Sequence, residues 1–231
     1  MDHIRLSPRL QMVADFVPPC ACAADIGTDH GYLPVWLLQS GVIQSAIAAD
    51  IHAGPLANAR QSAAAYDLEE RFRFVQADGL QFSGAQAADV ITIAGMGGET
   101  ICTILAAAPW LREGRRLILQ PQSKVPELAD WLWHNGFTIE DAALCRDAGK
   151  RYLALRVLGR VAAQSCTVEQ LLLRHRDPLL PEHLKEEIRR QKRARAGMAH
   201  AKQTPEAALA ALDARLSELE TCLKEVQSWQ P

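Results

Sequence analysis

From residue 22 to about residue 158, short apolar runs alternate with longer amphipathic stretches. Ala23–Asp25, Ser45–Asp50, Phe72–Gln76, Asp89–Ala94 and Leu117–Gln120 are brief, apolar and bounded by Gly, Asp or Pro, which predicts buried strands. Leu33–Gln39, Pro55–Tyr66, Glu99–Ala107 and Val125–Asn135 predict helices. Pro55 suits a first helical turn, where its missing N–H costs nothing, and Gly136 is a natural stop. Strands separated by helices imply a parallel sheet with right-handed crossovers and helices on both faces. The last two strands break that rhythm. Phe137–Leu144 and Tyr152–Leu158 are joined only by residues 145–151, too short for a parallel crossover, so they should pair as an antiparallel hairpin. The pattern predicts an α/β unit with a mostly parallel seven-stranded sheet that ends in a β-hairpin.

Beyond Gly159 strand signals vanish and helix formers dominate. Asp177-Pro178 and Pro181 punctuate the start of one long helix, from Glu182 to about Lys202, and Thr204-Pro205-Glu206 starts another. In the second, Leu209, Leu212, Leu216, Leu219, Leu223 and Val226 alternate three- and four-residue steps, a coiled-coil seam. Leu184, Ile188 and Met198 on the preceding helix are the expected partners, because a short connection favours the neighbouring helix over a second chain. The expected organisation is therefore a sheet-based domain over residues 1–160 and a helical coiled-coil domain over 161–231, in a monomeric chain.

The net charge is −2, yet its distribution is uneven. Between Arg174 and Lys202 there are nine Lys/Arg against four Asp/Glu, while the rest carries 16 basic and 23 acidic residues. A basic segment on an acidic body points to a polyanionic partner, with a solvated helix face as the competing explanation. No apolar run reaches the roughly 18 residues of a membrane span, and no signal core follows the N-terminal charges, so a cytoplasmic location is expected. Of the six cysteines only Cys20 and Cys22 are close, and C-x-C alone matches no zinc spacing. No metal is expected.

The candidate chemistry sits at strand ends. After the first strand the chain reads Asp25-Ile26-Gly27-Thr28-Asp29-His30-Gly31. Glycines there let backbone approach a ligand at the sheet's carboxyl edge. A pyrophosphate cradle expects G-x-G-x-x-G, whereas here Asp29 lies inside the turn and would repel a phosphate. It would attract a cationic, phosphate-free ligand such as S-adenosylmethionine. Asp50 closes the second strand, about where a ribose-binding carboxylate belongs. Asp78-Gly79-Leu80 follows the third, placed to read an adenine amine and cover its ring. Each Asp is also a candidate turn cap. The fourth strand ends in Ala94-Gly95-Met96-Gly97-Gly98. That run lacks the (D/N)-P-P-(F/Y/W) grip of amino methylation and the Pro-Cys nucleophile of pyrimidine carbon-5 methylation. A glycine backbone instead admits a flat ring whose in-plane nitrogen attacks directly; the alternative is a tight strand-to-helix turn.

Leu6-Ser7-x-Arg9-Leu10, the run ADIGTDHGYLP, Gly54-Pro55, Asp78-Gly79-Leu80, Ile93-AGMGGE, Leu117-ILQPQ and Gly149-Lys150-x-Tyr152 occur in one order. Together they resemble the bacterial tRNA (adenine(22)-N1)-methyltransferases, within the class I (Rossmann-like) methyltransferases. Thr28 stands where Ser is expected, Asp50 where Glu is common, and Gln122 where Asn is expected. The resemblance implies S-adenosylmethionine as cofactor and tRNA as partner, engaged by the helical domain.

The cofactor-binding set is then expected to be Arg9, Asp25, Gly27, Asp29, His30, Asp50, Ile51, Asp78, Gly79, Ala94, Gly95 and Met96, and the catalytic set Asp29, Arg9, Gly95 and Met96. Lys150, Arg151, Arg189, Arg190, Lys192, Arg193 and Arg195 are the expected RNA contacts, with Tyr152 a core residue beside them. A small-molecule methyltransferase and a non-catalytic cofactor-binding RNA scaffold are the competing functions; they predict, respectively, no salt-sensitive RNA binding and no transfer to tRNA.

Overall fold

The structure, a computed structural model, describes residues 3–162, 166–199 and 206–229. The chain forms two compact units that divide between Cys166 and Thr167.

The first unit is built on seven strands: β1 (Cys20–Ile26), β2 (Ile43–Asp50), β3 (Phe72–Gln76), β4 (Val90–Gly97), β5 (Arg116–Ser123), β6 (Thr138–Asp147) and β7 (Lys150–Leu158). Their order across the sheet is β3-β2-β1-β4-β5-β7-β6. The first five are parallel, and β7 pairs antiparallel with both β5 and β6. The order reverses between β1 and β4, which opens a crevice beyond the carboxyl ends of those two strands.

The helices of this unit are α1 (Pro8–Asp15), α2 (Tyr32–Gln39), α3 (Ala53–Ala65), α4 (Gly98–Ala106) and α5 (Val125–His134). Met12 and Val13 of α1, with Leu33, Leu37 and Leu38 of α2, pack on Ala23, Ile43, Val90, Ile118 and Ala154 of the sheet. Right-handed crossovers put α4 and α5 on the opposite face, where Ile101, Leu105, Leu128 and Leu132 are fully buried. Each such side chain contributes roughly 1.5–3 kcal/mol.

Three differences from the sequence expectation matter. Helix α1 has no counterpart in the apolar pattern, because only eight residues form it and one face is polar. Its start is nevertheless encoded: Ser7 Oγ accepts the Leu10 N–H, and Pro8 takes the first turn. The β6–β7 connection is two residues, Ala148-Gly149, both at positive φ as a type I′ turn requires; Asp147 pairs with Lys150. The residues expected to form a seven-residue loop are thus mostly strand. The sheet unit runs past the expected boundary at residue 160, since Ala162 N–H donates to Thr138 Oγ1 (2.8 Å).

The second unit holds α6 (Val168–Arg174), α7 (Leu180–Ala199) and α8 (Glu206–Gln227). Helix α6, absent from the sequence expectation, is opened by a reciprocal capping box between Thr167 and Gln170. Helices α7 and α8 run antiparallel, since Lys192 pairs with Glu220 while the later Arg195 pairs with the earlier Asp213. The expected Thr204-Pro205 start lies outside the described residues. The seam is fully buried only where α6 covers it, at Leu171, Leu172, Leu184, Ile188, Leu216, Leu219 and Val226. Toward the tip only two helices meet, so Leu209 and Leu212 are half-buried and Met198, expected in the seam, is exposed.

Candidate active site

The expected cofactor residues cluster along the carboxyl edge of β1, β2, β3 and β4. Gly27 and Gly31 both adopt positive φ, so the chain after β1 turns sharply before α2 begins. The Gly27 and Thr28 N–H groups donate to Ala49 O (2.8 and 3.1 Å), which locks this turn to the end of β2. Any side chain at Gly27 would strike the methyl end of Met96, so the β4 loop lies directly over the β1 turn.

Below the turn, Asp25 accepts a hydrogen bond from Thr92 Oγ1 (2.7 Å). Burial pushes its carboxyl above the usual range, the Thr28 and Thr92 hydroxyls work against it, and nearby Asp50 adds to it. Thr28 is buried beside the same carboxylate, and its hydroxyl faces it.

Asp50 spends one oxygen on the His52 N–H (2.8 Å), so part of its expected ligand capacity serves as a turn cap. Ile51 is exposed beside it, with its carbonyl held by Gln76 Nε2 (3.1 Å). Gly79 has positive φ, and a side chain there would press on Ile104 of α4 at 3.0 Å. Asp78 is exposed and Leu80 buried. Asp29 and His30 stand at the exposed lip, 3.4 Å apart, with His30 stacked on Tyr32.

Around Gly95 the β4–β5 register slips between Ala94 and Met96, leaving Gly95 as a bulge at φ +82. The first carbon of a side chain at Gly95 would lie 3.6 Å from both Arg9 Nη1 and Gln122 Nε2. Arg9 reaches this point from α1. Its Nη1 donates to Gln120 Oε1 (2.8 Å), its guanidinium lies 5.7 Å from the Tyr152 ring centroid, and its backbone N–H donates to Asp147 (3.3 Å). Gln120 is fully buried. Sequence reasoning missed it, because one amide inside an apolar run reads as a strand end.

Of the expected RNA contacts in this unit, Lys150 is exposed at the β6–β7 turn, and Arg151 sits opposite Arg146. Tyr152 packs on the core and carries Arg9 on its ring. In the helical unit the basic residues of α7 divide. Arg195 is bound by Asp213, Lys192 by Glu220 (2.7 Å) and Arg190 by Glu187 (2.6 Å). These cations hold the Asp213 and Glu220 carboxyls below their usual range. Arg189 and Arg193 have no carboxylate partner among the described residues, and neither does Lys185, which the sequence reading omitted. The three lie at four-residue intervals, so they form one exposed stripe along α7.

Among the described residues no group of His, Cys, Asp or Glu could hold a metal ion, and no helix is long and apolar enough to cross a membrane. Burial, with the Asp89 and Cys22 charges, pushes the Cys20 thiol up to about 11, which suits a structural cysteine.

A methyltransferase-domain family matches residues 6–155. The tRNA (adenine(22)-N(1))-methyltransferase of Bacillus subtilis (strain 168) is 38% identical over 156 residues, 67% of this chain and 66% of that protein, just under two thirds of its length. The crystal structure of the B. subtilis m1A22 tRNA methyltransferase TrmK matches with a TM-score of 0.77 at 27% identity, covering 96% of this chain and 100% of that one. A Streptococcus pneumoniae protein in complex with S-adenosyl-L-methionine matches with a TM-score of 0.77 at 30% identity, covering 95% and 100%. The chain belongs to the methyltransferase-domain family and, within it, to the bacterial tRNA (adenine(22)-N1)-methyltransferases.

Proposed function

We propose that this protein transfers a methyl group from S-adenosylmethionine to N1 of adenine 22 in tRNA. The observation that carries this reading is the sheet edge itself: carboxylates at Asp25, Asp29, Asp50 and Asp78 alternate with glycine turns at Gly27, Gly79 and Gly95. A pyrophosphate would be repelled there, whereas a ligand bearing an ammonium and a sulfonium is favoured.

The cofactor supplies an electrophilic methyl group on sulfur. Arg9, Asp25, Gly27, Asp29, His30, Asp50, Ile51, Asp78, Gly79, Ala94, Gly95 and Met96 would hold it and shape the space beside it. Adenine N1 has a lone pair in the ring plane, so no enzyme nucleophile and no prior proton removal are needed. The protein's task is alignment and exclusion of water. The Gly95 bulge lets the flat ring approach the backbone, and Met96 closes the floor over Gly27. Methylation at N1 leaves positive charge on the purine, and Asp29 at the lip would orient the base or accept its N6 proton. His30, beside Asp29, serves the cofactor turn.

Affinity for tRNA would come mainly from phosphate contacts. Lys150 and Arg151 supply them beside the sheet edge. On α7 the stripe Lys185, Arg189 and Arg193, which has no carboxylate partner among the described residues, is the main grip, and Arg190, Lys192 and Arg195 are partly spent on Glu187, Glu220 and Asp213. The target base must be swung out of the folded tRNA, at a few kcal/mol.

Calorimetry tests the cofactor assignment directly. S-adenosylhomocysteine should bind and NAD should not; the reverse result would remove the proposal.

A further inference from the structure

We infer that Gln120 is a positioning residue that fixes the Arg9 guanidinium beside the Gly95 bulge without neutralising it, so that Arg9 seats an anionic group, a carboxylate or a phosphate, at the point of methyl transfer. The inference rests on the function proposed above and adds a residue to it.

Gln120 lies on β5 opposite Ala94, the last residue of β4 before the bulge. It is a polar side chain at 0% exposure, a place where burial costs unless every hydrogen bond is made. Its amide has two partners: Nε2 donates to Pro121 O (3.0 Å), and Oε1 accepts from Arg9 Nη1 (2.8 Å). The first bond sets the amide's orientation, so the oxygen faces Arg9. The Tyr152 ring supports the guanidinium from a second side. Nη1, the nitrogen that Gln120 holds, is also the one that lies near the space above Gly95.

The choice of amide over carboxylate is the informative part. A buried Glu at 120 would accept the same hydrogen bond more strongly and would form an ion pair with Arg9. Gln holds the geometry and leaves a full positive charge. No carboxylate lies within ion-pair distance of the Arg9 guanidinium among the described residues, and Asp147 is engaged with the Arg9 backbone N–H. A half-buried arginine fixed by neutral groups alone is a seat for an anion from outside the protein. Two anions meet at a methyl-transfer site of this kind: the carboxylate of the cofactor and a phosphate of the RNA.

The test uses the full chain with Gln120→Glu, Arg9→Met and the double variant, each checked for folding by thermal unfolding. Affinity is measured for S-adenosylhomocysteine and for 5′-deoxy-5′-methylthioadenosine, which lacks the amino-acid carboxylate. KM and kcat are measured for tRNA. If the anion is the cofactor carboxylate, Gln120→Glu weakens S-adenosylhomocysteine on the order of tenfold or more and leaves methylthioadenosine unchanged. If it is a phosphate, both nucleosides bind normally and KM for tRNA rises by a similar factor with kcat largely kept. In either case the double variant is no worse than Arg9→Met alone, because Gln120 acts through Arg9. Additive defects, or a Gln120→Glu protein with all these constants unchanged, would overturn the inference. Should Gln120→Glu fail to fold, Arg9→Met alone decides: it must show one of the two selective losses. The nucleoside arm needs no tRNA turnover, so absent methylation by the wild type would count against the proposed function and leave the cofactor-carboxylate seat still measurable.

Discussion

If Lys185, Arg189 and Arg193 form the phosphate-binding line, replacing all three by Ala should change how tRNA binding responds to salt. Each phosphate neutralised by a cation contributes about 0.7–0.9 to the slope of log K against log salt. Removing three should flatten the slope by about 2–3. Between roughly 50 and 200 mM salt, a fourfold change, the wild type should then lose about 20- to 40-fold more affinity than the triple variant. The structure also supplies the control. Lys192 and Arg195 are held by Glu220 and Asp213, so replacing those two should change the slope by less than one. Fluorescence anisotropy of labelled tRNA across that salt range measures both, with S-adenosylhomocysteine affinity confirming that the sheet unit is intact. Equal slope changes for the two sets, or an unchanged slope for the triple variant, would refute the division of the cations.

Other consequences are as direct. In the helical unit burial alone would raise the Glu169 carboxyl, but hydrogen bonds from His183 and the Arg215 charge overcome it and hold it at about 2. A depressed carboxylate stabilises the fold above its ordinary value near 4.5, and that stability is lost as pH falls toward 2; the shift corresponds to about 3 kcal/mol. Glu169→Gln should therefore speed amide exchange in α6 at neutral pH and flatten its acid dependence, and unaltered α6 protection would contradict this. Asp25 is shifted the other way, so its charged form costs folding energy: Asp25→Asn should raise the thermal unfolding temperature and weaken S-adenosylhomocysteine roughly tenfold. A variant that is less stable yet binds normally would reverse both signs. Gly27→Ala should cost about 1–2 kcal/mol of backbone strain and displace the Met96 methyl end, reducing cofactor affinity in calorimetry.

Much of this architecture is legible without coordinates. Phe72–Gln76 reads directly as a strand because Asp78 and Gly79 close a short, largely apolar run, and the antiparallel end of the sheet follows from the short β6–β7 connection. The tip of that hairpin does not, since Arg146, Asp147, Lys150 and Arg151 are polar strand residues that resemble a loop. The glycine turns announce themselves through Gly27, Gly79 and Gly95, whose positive φ only glycine adopts freely. Gln120 stays hidden, because its role depends on α1 crossing the sheet edge, which is tertiary information. The same holds for α7: composition shows that it is basic, but the register against α8 decides that Lys192 and Arg195 are paired, while among the described residues Arg189 and Arg193 have no carboxylate partner.

The most direct measurement is methyl transfer itself. The purified protein is incubated with total tRNA and S-adenosylmethionine labelled in its methyl group, and the modified nucleoside is identified and mapped. Label in 1-methyladenosine at position 22 is the predicted result. Label on another nucleotide, or none on tRNA while S-adenosylhomocysteine still binds, would contradict it.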